Sequence, residues 1–135
     1  MSKQNSEIEK YQQFGDPFYP TYKRHFRGHR TTQSPHEVHP ALIIGEWPDD
    51  YISMGAESVP TKKENARKRK KYILTPQNKN KEGRPTRIRK QIEVSPKRFF
   101  SPEKYEDLKL NQEQNAVIDK QVEKKRTWYK KSSQG

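Results

Sequence analysis

Fifteen lysines and arginines between positions 62 and 98 are the residues with the clearest chemistry in this chain. Only three acids, Glu64, Glu82 and Glu93, lie among them, so this basic block carries +12, which is the formal charge of the whole chain. Ammonium and guanidinium groups at this density repel one another until an anion neutralises them. The sequence therefore predicts an extended acidic partner, either a polynucleotide or an acidic protein surface.

Two patterns within the basic block indicate how its charges are presented. The run Lys68–Lys71 resembles a nuclear localisation signal and equally a nucleic-acid patch. Arg87 and Arg89 are two positions apart, so in an extended chain both guanidinium groups lie on one face. There they can make bidentate contacts with phosphates or carboxylates. The predicted partner-binding cations are Lys62, Lys63, Arg67, Lys68, Arg69, Lys70, Lys71, Arg84, Arg87, Arg89 and Lys90.

Aromatic side chains form the second group of candidate binding residues. The chain holds seven Tyr, five Phe and two Trp, and rigid rings anchor a chain on a partner at low entropic cost. The adjacent Phe99 and Phe100 suit a hydrophobic slot in a partner. The predicted anchors are Phe18, Tyr19, Tyr22, Trp47, Tyr51, Phe99, Phe100 and Trp128.

Two Ser-Pro dipeptides flank the phenylalanine pair. Ser95 and Ser101 each precede a proline and then a nearby basic residue, a context that proline-directed kinases favour. A phosphate on either serine would subtract up to about two charges beside the basic block. Such tetrapeptides also arise by chance in basic, proline-rich chains, so both serines are candidate phosphorylation sites only.

The residue types of catalysis and metal binding do not assemble into a site. His25, His29, His36 and His39 lie within fifteen residues, which is compatible with zinc, but neighbouring cations would repel the metal. Histidines that stack in a basic, aromatic contact segment are the favoured interpretation. The chain has no cysteine, which excludes thiolate ligands and cysteine nucleophiles. The sequence predicts no enzyme, no metal and no cofactor.

The elements that position these residues are predicted from proline spacing and composition. Ten evenly spread prolines interrupt long helices. Hydrophobic residues make up only 27% of the chain and charged residues 34%, too little apolar surface to offset the ordering of a domain. We therefore expect a mostly irregular, extended chain without a globular core. Its predicted elements are short helices near 1–14 and 61–73, a longer helix at about 102–129 and a short strand at 41–44.

Composition divides the chain into four segments, none of which is predicted to be an independent globular domain. They are an N-terminal helix and aromatic-proline segment (1–22), a histidine and aromatic anchoring segment (23–60), the basic block (61–100) and a C-terminal helix (101–135). No apolar run approaches the roughly 20 residues of a membrane span. The first residues also lack the apolar centre of a secretory signal. A soluble protein made in the cytosol, with no membrane or small-molecule partner, is the expectation.

Charge and aromatic content leave three hypotheses for function. The first is an accessory RNA-binding protein of a ribonucleoprotein particle, of the ribosome or spliceosome type, whose binding would be steeply salt-dependent. The second is a structural protein that lies on an acidic protein lattice, above all a microtubule. The third is a nuclear chromatin binder regulated by phosphorylation.

The proline-and-aromatic passages FGDPFYP (14–20) and HPALIIGEWP (39–48) carry a resemblance to a known class. In style the chain resembles the small microtubule inner proteins of ciliary doublets, which are basic, poor in core residues and threaded between tubulin subunits. The resemblance implies a non-enzymatic protein that stabilises axonemal doublet microtubules from within. Its partners would be the tubulin lattice and neighbouring structural proteins, and its location the cytoskeleton of the ciliary axoneme.

Two features favour the lattice over RNA. The residues outside the basic block balance their charges and are rich in aromatics, as expected for chains that lie in protein grooves. The acidic and apolar stretch 41–56 also suits contact with protein better than contact with phosphate. RNA binding, in the nucleus or a ribonucleoprotein particle, is the alternative. Under either hypothesis, the isolated protein should unfold without a cooperative transition, and alanine at Lys68–Lys71 should weaken partner binding more than any four changes in 1–20.

Overall fold

In the part of the chain that the structure describes, seven strands form one antiparallel sheet, and two helices pack against it. The computed structural model describes residues 3–18, 22–30, 36–59 and 71–134. A single 3₁₀ turn, Lys97–Phe99, separates the last two strands. In chain order the elements are α1 (Lys3–Phe14), β1 (His25–His29), β2 (His39–Glu46), β3 (Asp50–Ser58), β4 (Tyr72–Lys79), β5 (Pro85–Arg89), β6 (Glu93–Pro96), β7 (Phe100–Lys104) and α2 (Gln112–Gln134).

All the strand pairs are antiparallel, and β3 lies at the centre of the sheet. The strand order is β4-β5-β3-β2-β1-β7, with β6 also paired to β3. One edge of β3 pairs with β2, while the opposite edge is shared: Asp50–Ser53 pairs with β6, and Ala56–Ser58 pairs with β5. Strands from three of the four sequence segments defined above therefore meet in one sheet.

The main core lies between one face of the sheet and the two helices. The buried residues of α2, Gln114, Ile118, Val122 and Tyr129, recur at spacings that place them on one helical face. The Tyr129 ring stacks on Tyr11 of α1, with 5.0 Å between ring centroids. The cluster comprises Phe18, Phe26, Leu42, Ile44, Trp47, Ile52, Met54, Ala56, Ile73, Ile88, Ile118, Val122 and Tyr129.

A second, smaller cluster occupies the opposite face of the sheet. Because side chains alternate along a strand, Ala41 and Ile43 point away from the main core, and they pack there with Phe100. Tyr22 and Tyr51 cover this cluster and are themselves partly buried. Both faces of β2 are thus buried, which explains its unbroken apolar run.

The prediction of a mostly irregular chain without a globular core is wrong. Sixteen apolar residues within the described ranges are buried, so the small apolar content there is concentrated in the interior. Among the described residues, the exposed large hydrophobics are Phe14, Val38, Leu74 and Tyr105. The total hydrophobic content underestimated the core because it does not show what fraction of the apolar side chains is buried.

The predicted C-terminal helix begins about ten residues too early. Ser101 and Pro102 lie in β7, and α2 runs over Gln112–Gln134. The true cap is Asn111, whose Oδ1 accepts from the Gln114 backbone N at 2.8 Å, while Gln114 Oε1 accepts from the Asn111 N at 3.0 Å. This reciprocal pair is a capping box with an amide at each position.

The helix predicted at 61–73 also requires correction. Tyr72 and Ile73 lie in β4, which continues through Pro76 to Lys79; residues 60–70 lie outside the described part of the chain. The proline is tolerated because its position coincides with a register shift between Thr75 and Lys79, and strand prolines occur at bulges and edges. By contrast, α1 lies within the predicted 1–14, and β2 includes the predicted strand at 41–44.

Neither described helix is long and apolar enough to cross a membrane.

Candidate polyanion-binding groove

Six of the predicted cations and one predicted anchor cannot be placed. They all lie outside the described residues: Lys62, Lys63, Arg67, Lys68, Arg69, Lys70 and Tyr19. The six cations belong to the connection between Val59, just after β3, and Lys71, just before β4. The described residues around the two ends of this connection therefore form the surface to consider first.

The predicted arginines are largely occupied within the protein. Arg87 and Arg89 do share one face of β5, and both reach the same carboxylate, since Glu57 lies 3.6 Å from Arg87 Nη2 and 3.1 Å from Arg89 Nε. The guanidinium of Arg87 is buried and lies 3.7 Å from the centroid of the Tyr72 ring. Arg84 donates to the Val59 carbonyl at 2.8 Å. These arginines therefore hold the β4–β5 hairpin against β3.

The lysines at the same end of the sheet have a different environment. Lys71, Lys90 and Lys124 line a groove between α2 and the β5–β6 connection, together with Arg89, Gln91 and Gln121. We call this set the basic groove. Its two adjoining cavities measure about 770 and 620 Å³. The Lys90 N donates to the Lys71 carbonyl at 2.8 Å, so the two lysines come from backbone segments that are fixed to each other.

Three acids line the two cavities of the basic groove, and Glu93 is the one without an ion pair in the described part of the chain, whereas Glu57 and Glu7 are neutralised by other residues. Glu57 is paired with Arg87 and Arg89. Glu7 lies 3.1 Å from Lys125 Nζ and accepts from the Tyr129 hydroxyl at 2.9 Å. None of Lys71, Lys90 and Lys124 forms an ion pair with a carboxylate in the described part of the chain. The groove therefore retains uncompensated positive charge.

The predicted aromatic anchors serve mainly inside the protein. Phe18, Trp47 and Phe100 are at most 8% exposed. The Trp47 Nε1 donates to the Gly15 carbonyl at 3.0 Å, which ties the end of α1 to the β2–β3 turn. Trp128 is half-buried against the main core, with Lys125 Nζ 4.2 Å from its ring centroid. Tyr22 and Tyr51 cover the second cluster, and the half-buried Phe99 lines a separate pocket.

The two candidate phosphorylation sites both lie in strands. Ser95 belongs to β6 and faces Tyr51 of β3 across the ladder. Ser101 belongs to β7, and its Oγ accepts from the Glu103 backbone N at 3.3 Å. Each serine is partly buried. Their phosphorylation stays a prediction.

The histidines make contacts within the protein. The Nε2 of His25 accepts from Arg27 Nε at 2.9 Å, and His29 stacks on Phe100 with 4.3 Å between ring centroids. Burial lowers the pKa of His25 and of His29 below the usual 6.5. Over the described ranges, no three His, Cys, Asp or Glu side chains lie close enough to hold a metal ion.

Sequence reasoning missed the part of the basic groove that α2 contributes. Lys124 and Gln121 are separated from Lys71 by about fifty residues, and only tertiary packing brings them together. No local signal distinguishes Lys124 from the other lysines of the tail. The comparisons with known proteins add no relative, since neither a protein-family model nor a curated protein matches the chain.

Proposed function

We propose that this protein is a non-enzymatic RNA-binding protein that uses the basic groove to hold the phosphate backbone. The observation that carries the proposal is the convergence of Lys71, Lys90 and Lys124, which are uncompensated by described carboxylates. The groove also adjoins Lys71, where the basic connection 60–70 ends. A folded module with its positive charge at one end suits an extended polyanion.

The geometry removes two reasons for preferring a microtubule lattice as the partner. Aromatic residues favoured a chain anchored in protein grooves, yet Phe18, Trp47 and Phe100 are buried in this protein's own core. The acidic and apolar stretch 41–56 also favoured contact with protein, yet it forms β2 and β3 at the centre of the sheet. Tubulin stays the alternative partner, supported by charge alone.

The chemistry of the basic groove predicts binding without strong sequence preference. Lysine ammonium groups act on phosphates as point charges, whereas sequence is read through base edges. Each neutralised phosphate of a single strand releases counterions and contributes about −0.7 to the slope of log K against log salt. Three groove lysines should therefore account for a slope of about −2.

The test of the proposal is RNA binding across a salt series by the full chain and by a groove variant. In Lys71→Gln, Lys90→Gln, Lys124→Gln, we expect weaker binding and a slope reduced by about 2. A matched variant carries Lys23→Gln, Lys104→Gln and Lys109→Gln, three exposed lysines outside the described lining of the groove. It should lose less affinity although its net charge falls by the same amount.

The connection 60–70 provides a second variant, which shares only Lys71 with the groove variant. Replacing Lys68–Lys71 with alanine should lower the slope by about 3, because four cations are lost. Co-sedimentation with microtubules in the same salt series tests the alternative. Retention on microtubules without RNA binding would overturn the proposal, and equal losses in the groove and control variants would remove the groove from it.

A further inference from the structure

A separate pocket lies at the edge of the sheet opposite β4, where β1 ends and β7 begins. Its volume is about 240 Å³, and its lining includes Arg30, Arg98, Phe99 and Ser101. That volume is below the roughly 300–1,000 Å³ of most ligand sites. The cavity therefore has room for one planar ring, and the exposed side chains of Arg30 and Arg98 can hold a small anionic group at its rim.

Arg30 and Arg98 both contact Phe99, Arg30 through its backbone and Arg98 through its guanidinium group. The Arg30 N donates to the Phe99 carbonyl at 2.8 Å, which joins the end of β1 to the 3₁₀ turn. The guanidinium carbon of Arg98 lies 4.9 Å from the centroid of the Phe99 ring. The two charged groups and the ring thus line one cavity although they come from two segments of the chain.

The part of the pocket lining next to Gly28 is closely packed. Gly28 forms part of the lining, and a Cβ atom at this position would lie 2.5 Å from Val38 Cγ1 and 3.1 Å from the Tyr105 hydroxyl oxygen. Val38 also lines the cavity. The described lining therefore combines small apolar residues, two phenylalanines, two arginines and a serine, with no acidic residue among them.

We propose that this pocket, which we call the arginine–phenylalanine pocket, binds one unpaired nucleotide of an RNA strand. The Arg30 and Arg98 guanidinium groups hold the phosphate, because their planar forks match phosphate oxygens. The base lies against Phe99, since any base offers a π-face to an aromatic side chain. A paired base stays in its stack, so the pocket selects single-stranded segments.

This inference rests on the proposed RNA-binding function and adds the form of RNA that is preferred. The basic groove contacts only backbone charge and accepts single and double strands alike. The arginine–phenylalanine pocket contacts a base and rejects a duplex. The two sites therefore predict different losses when each is altered.

The experiment measures binding of a fluorescent single-stranded oligonucleotide and of the matching duplex to the full chain. Phe99→Leu should weaken single-strand binding by roughly 5- to 150-fold, the range for loss of one stacked base. Duplex binding and the salt slope should stay at the wild-type values. The matched control is Phe14→Leu, because Phe14 is a 42% exposed phenylalanine at the end of α1, and it should bind like the wild type.

The arginines give a second readout that does not depend on the ring. Arg30→Gln with Arg98→Gln should reduce the single-strand salt slope by about 1.4. Arg98→Lys keeps the charge and should keep the slope while binding more weakly, since the fork is lost. Both arginines are exposed, so these variants test the pocket even if Phe99→Leu does not fold, and thermal unfolding verifies each protein.

Each result decides between the two proposals. Wild-type single-strand affinity in folded Phe99→Leu, or an equal loss on the duplex, overturns the nucleotide pocket while the groove variants still test RNA binding. Wild-type protein that binds neither RNA form overturns both proposals. If a phosphopeptide binds in an Arg98-dependent manner and RNA does not, the pocket recognises an acidic peptide and the inference falls.

Discussion

The β2–β3 and β4–β5 hairpins are built from the same antiparallel pairing but are stabilised in different ways. In β2–β3, side chains such as Leu42, Ile52 and Met54 are fully buried, and the buried set is mainly apolar, with Asp50 and Ser53 as its polar members. In β4–β5, the buried set includes Thr75, Asn78, Thr86 and Arg87 beside only two apolar residues. One hairpin depends on transfer of apolar surface, and the other on paired polar groups.

Most buried polar groups of β4–β5, the polar hairpin, have a hydrogen-bond partner within or beyond it, although the Nε atoms of Arg84 and Arg87 have none. The hydroxyls of Thr75 and Thr86 lie 2.7 Å apart across the strands. Asn78 Nδ2 donates to the Lys109 carbonyl at 2.7 Å, and Asn78 Oδ1 accepts from the Lys109 N at 2.8 Å. Gln114 of α2 donates to the Leu74 carbonyl at 2.8 Å. A polar strand can thus join a core when nearly every buried group has a partner.

The largest expected effect is in the apolar hairpin. Ile52→Ala should lower the free energy of unfolding by about 2–5 kcal/mol, because it leaves a cavity at a side chain that is 0% exposed. Denaturant unfolding measures the loss. Leu74→Ala in the polar hairpin is the control, since Leu74 is 49% exposed, and should change stability by about 0.5 kcal/mol or less.

The same measurement tests the corrected fold. Because the protein has a buried core, we now expect the wild type to unfold in a single cooperative transition, contrary to the prediction from the sequence. A broad, non-cooperative change in the wild type, with no effect of Ile52→Ala, would contradict the apolar core and restore the extended chain.

The second effect concerns the buried hydroxyl pair. Thr75→Val should destabilise the protein by about 1–3 kcal/mol, because Thr86 Oγ1 and the Thr86 carbonyl both lose a partner. Combining Thr75→Val with Thr86→Val replaces both hydroxyls by methyl groups and should recover part of the loss. Additive losses in this double-mutant cycle would show that the hydroxyl pair contributes nothing of its own.

The difference between the hairpins also explains which elements the sequence could predict. The stretch 41–44 is apolar, and the strand predicted there lies within β2. The start of β4 looked like the end of a basic helix, because the lysines before the strand and Pro76 within it concealed the buried positions Ile73, Thr75 and Asn78. Buried threonine and asparagine carry no hydrophobic signal, so pattern analysis takes them for surface residues.

The candidate site was predictable only in part. Lys71, Arg89 and Lys90 were identified from charge density, and all three line the basic groove. The sharing of Glu57 by Arg87 and Arg89 could not be foreseen, because β3 and β5 are about thirty residues apart. Charge density identifies the cations but cannot distinguish those that are paired inside the protein from those that remain available.

A third, smaller effect should follow from changing the cap of α2. Asn111→Ala removes the acceptor of the Gln114 backbone N and should cost about 1 kcal/mol. Gln114 also bonds the Gln77 side chain of the polar hairpin, so the loss should exceed that of an ordinary surface change. Asn111→Ser retains a capping oxygen and should restore most of the stability in denaturant unfolding; a Ser variant as unstable as the Ala variant would rule out capping as the cause.

The smallest expected effect is a pH dependence from the face opposite the main core. Burial lowers the pKa of His29 below the usual 6.5, while Glu93 opposes and His39 supports that shift. At about pH 7.5 and above, the ring is mostly neutral in both states and contributes little to the pH dependence. As pH falls through about 6.5 and below, the unfolded chain binds a proton that the folded protein resists, so stability falls.

His29→Gln should reduce the loss of unfolding free energy between about pH 7.5 and 5.5. The exposed His36 is the control, and His36→Gln should keep the wild-type slope. Equal slopes in wild type and His29→Gln would mean that the His29–Phe100 stack does not resist protonation.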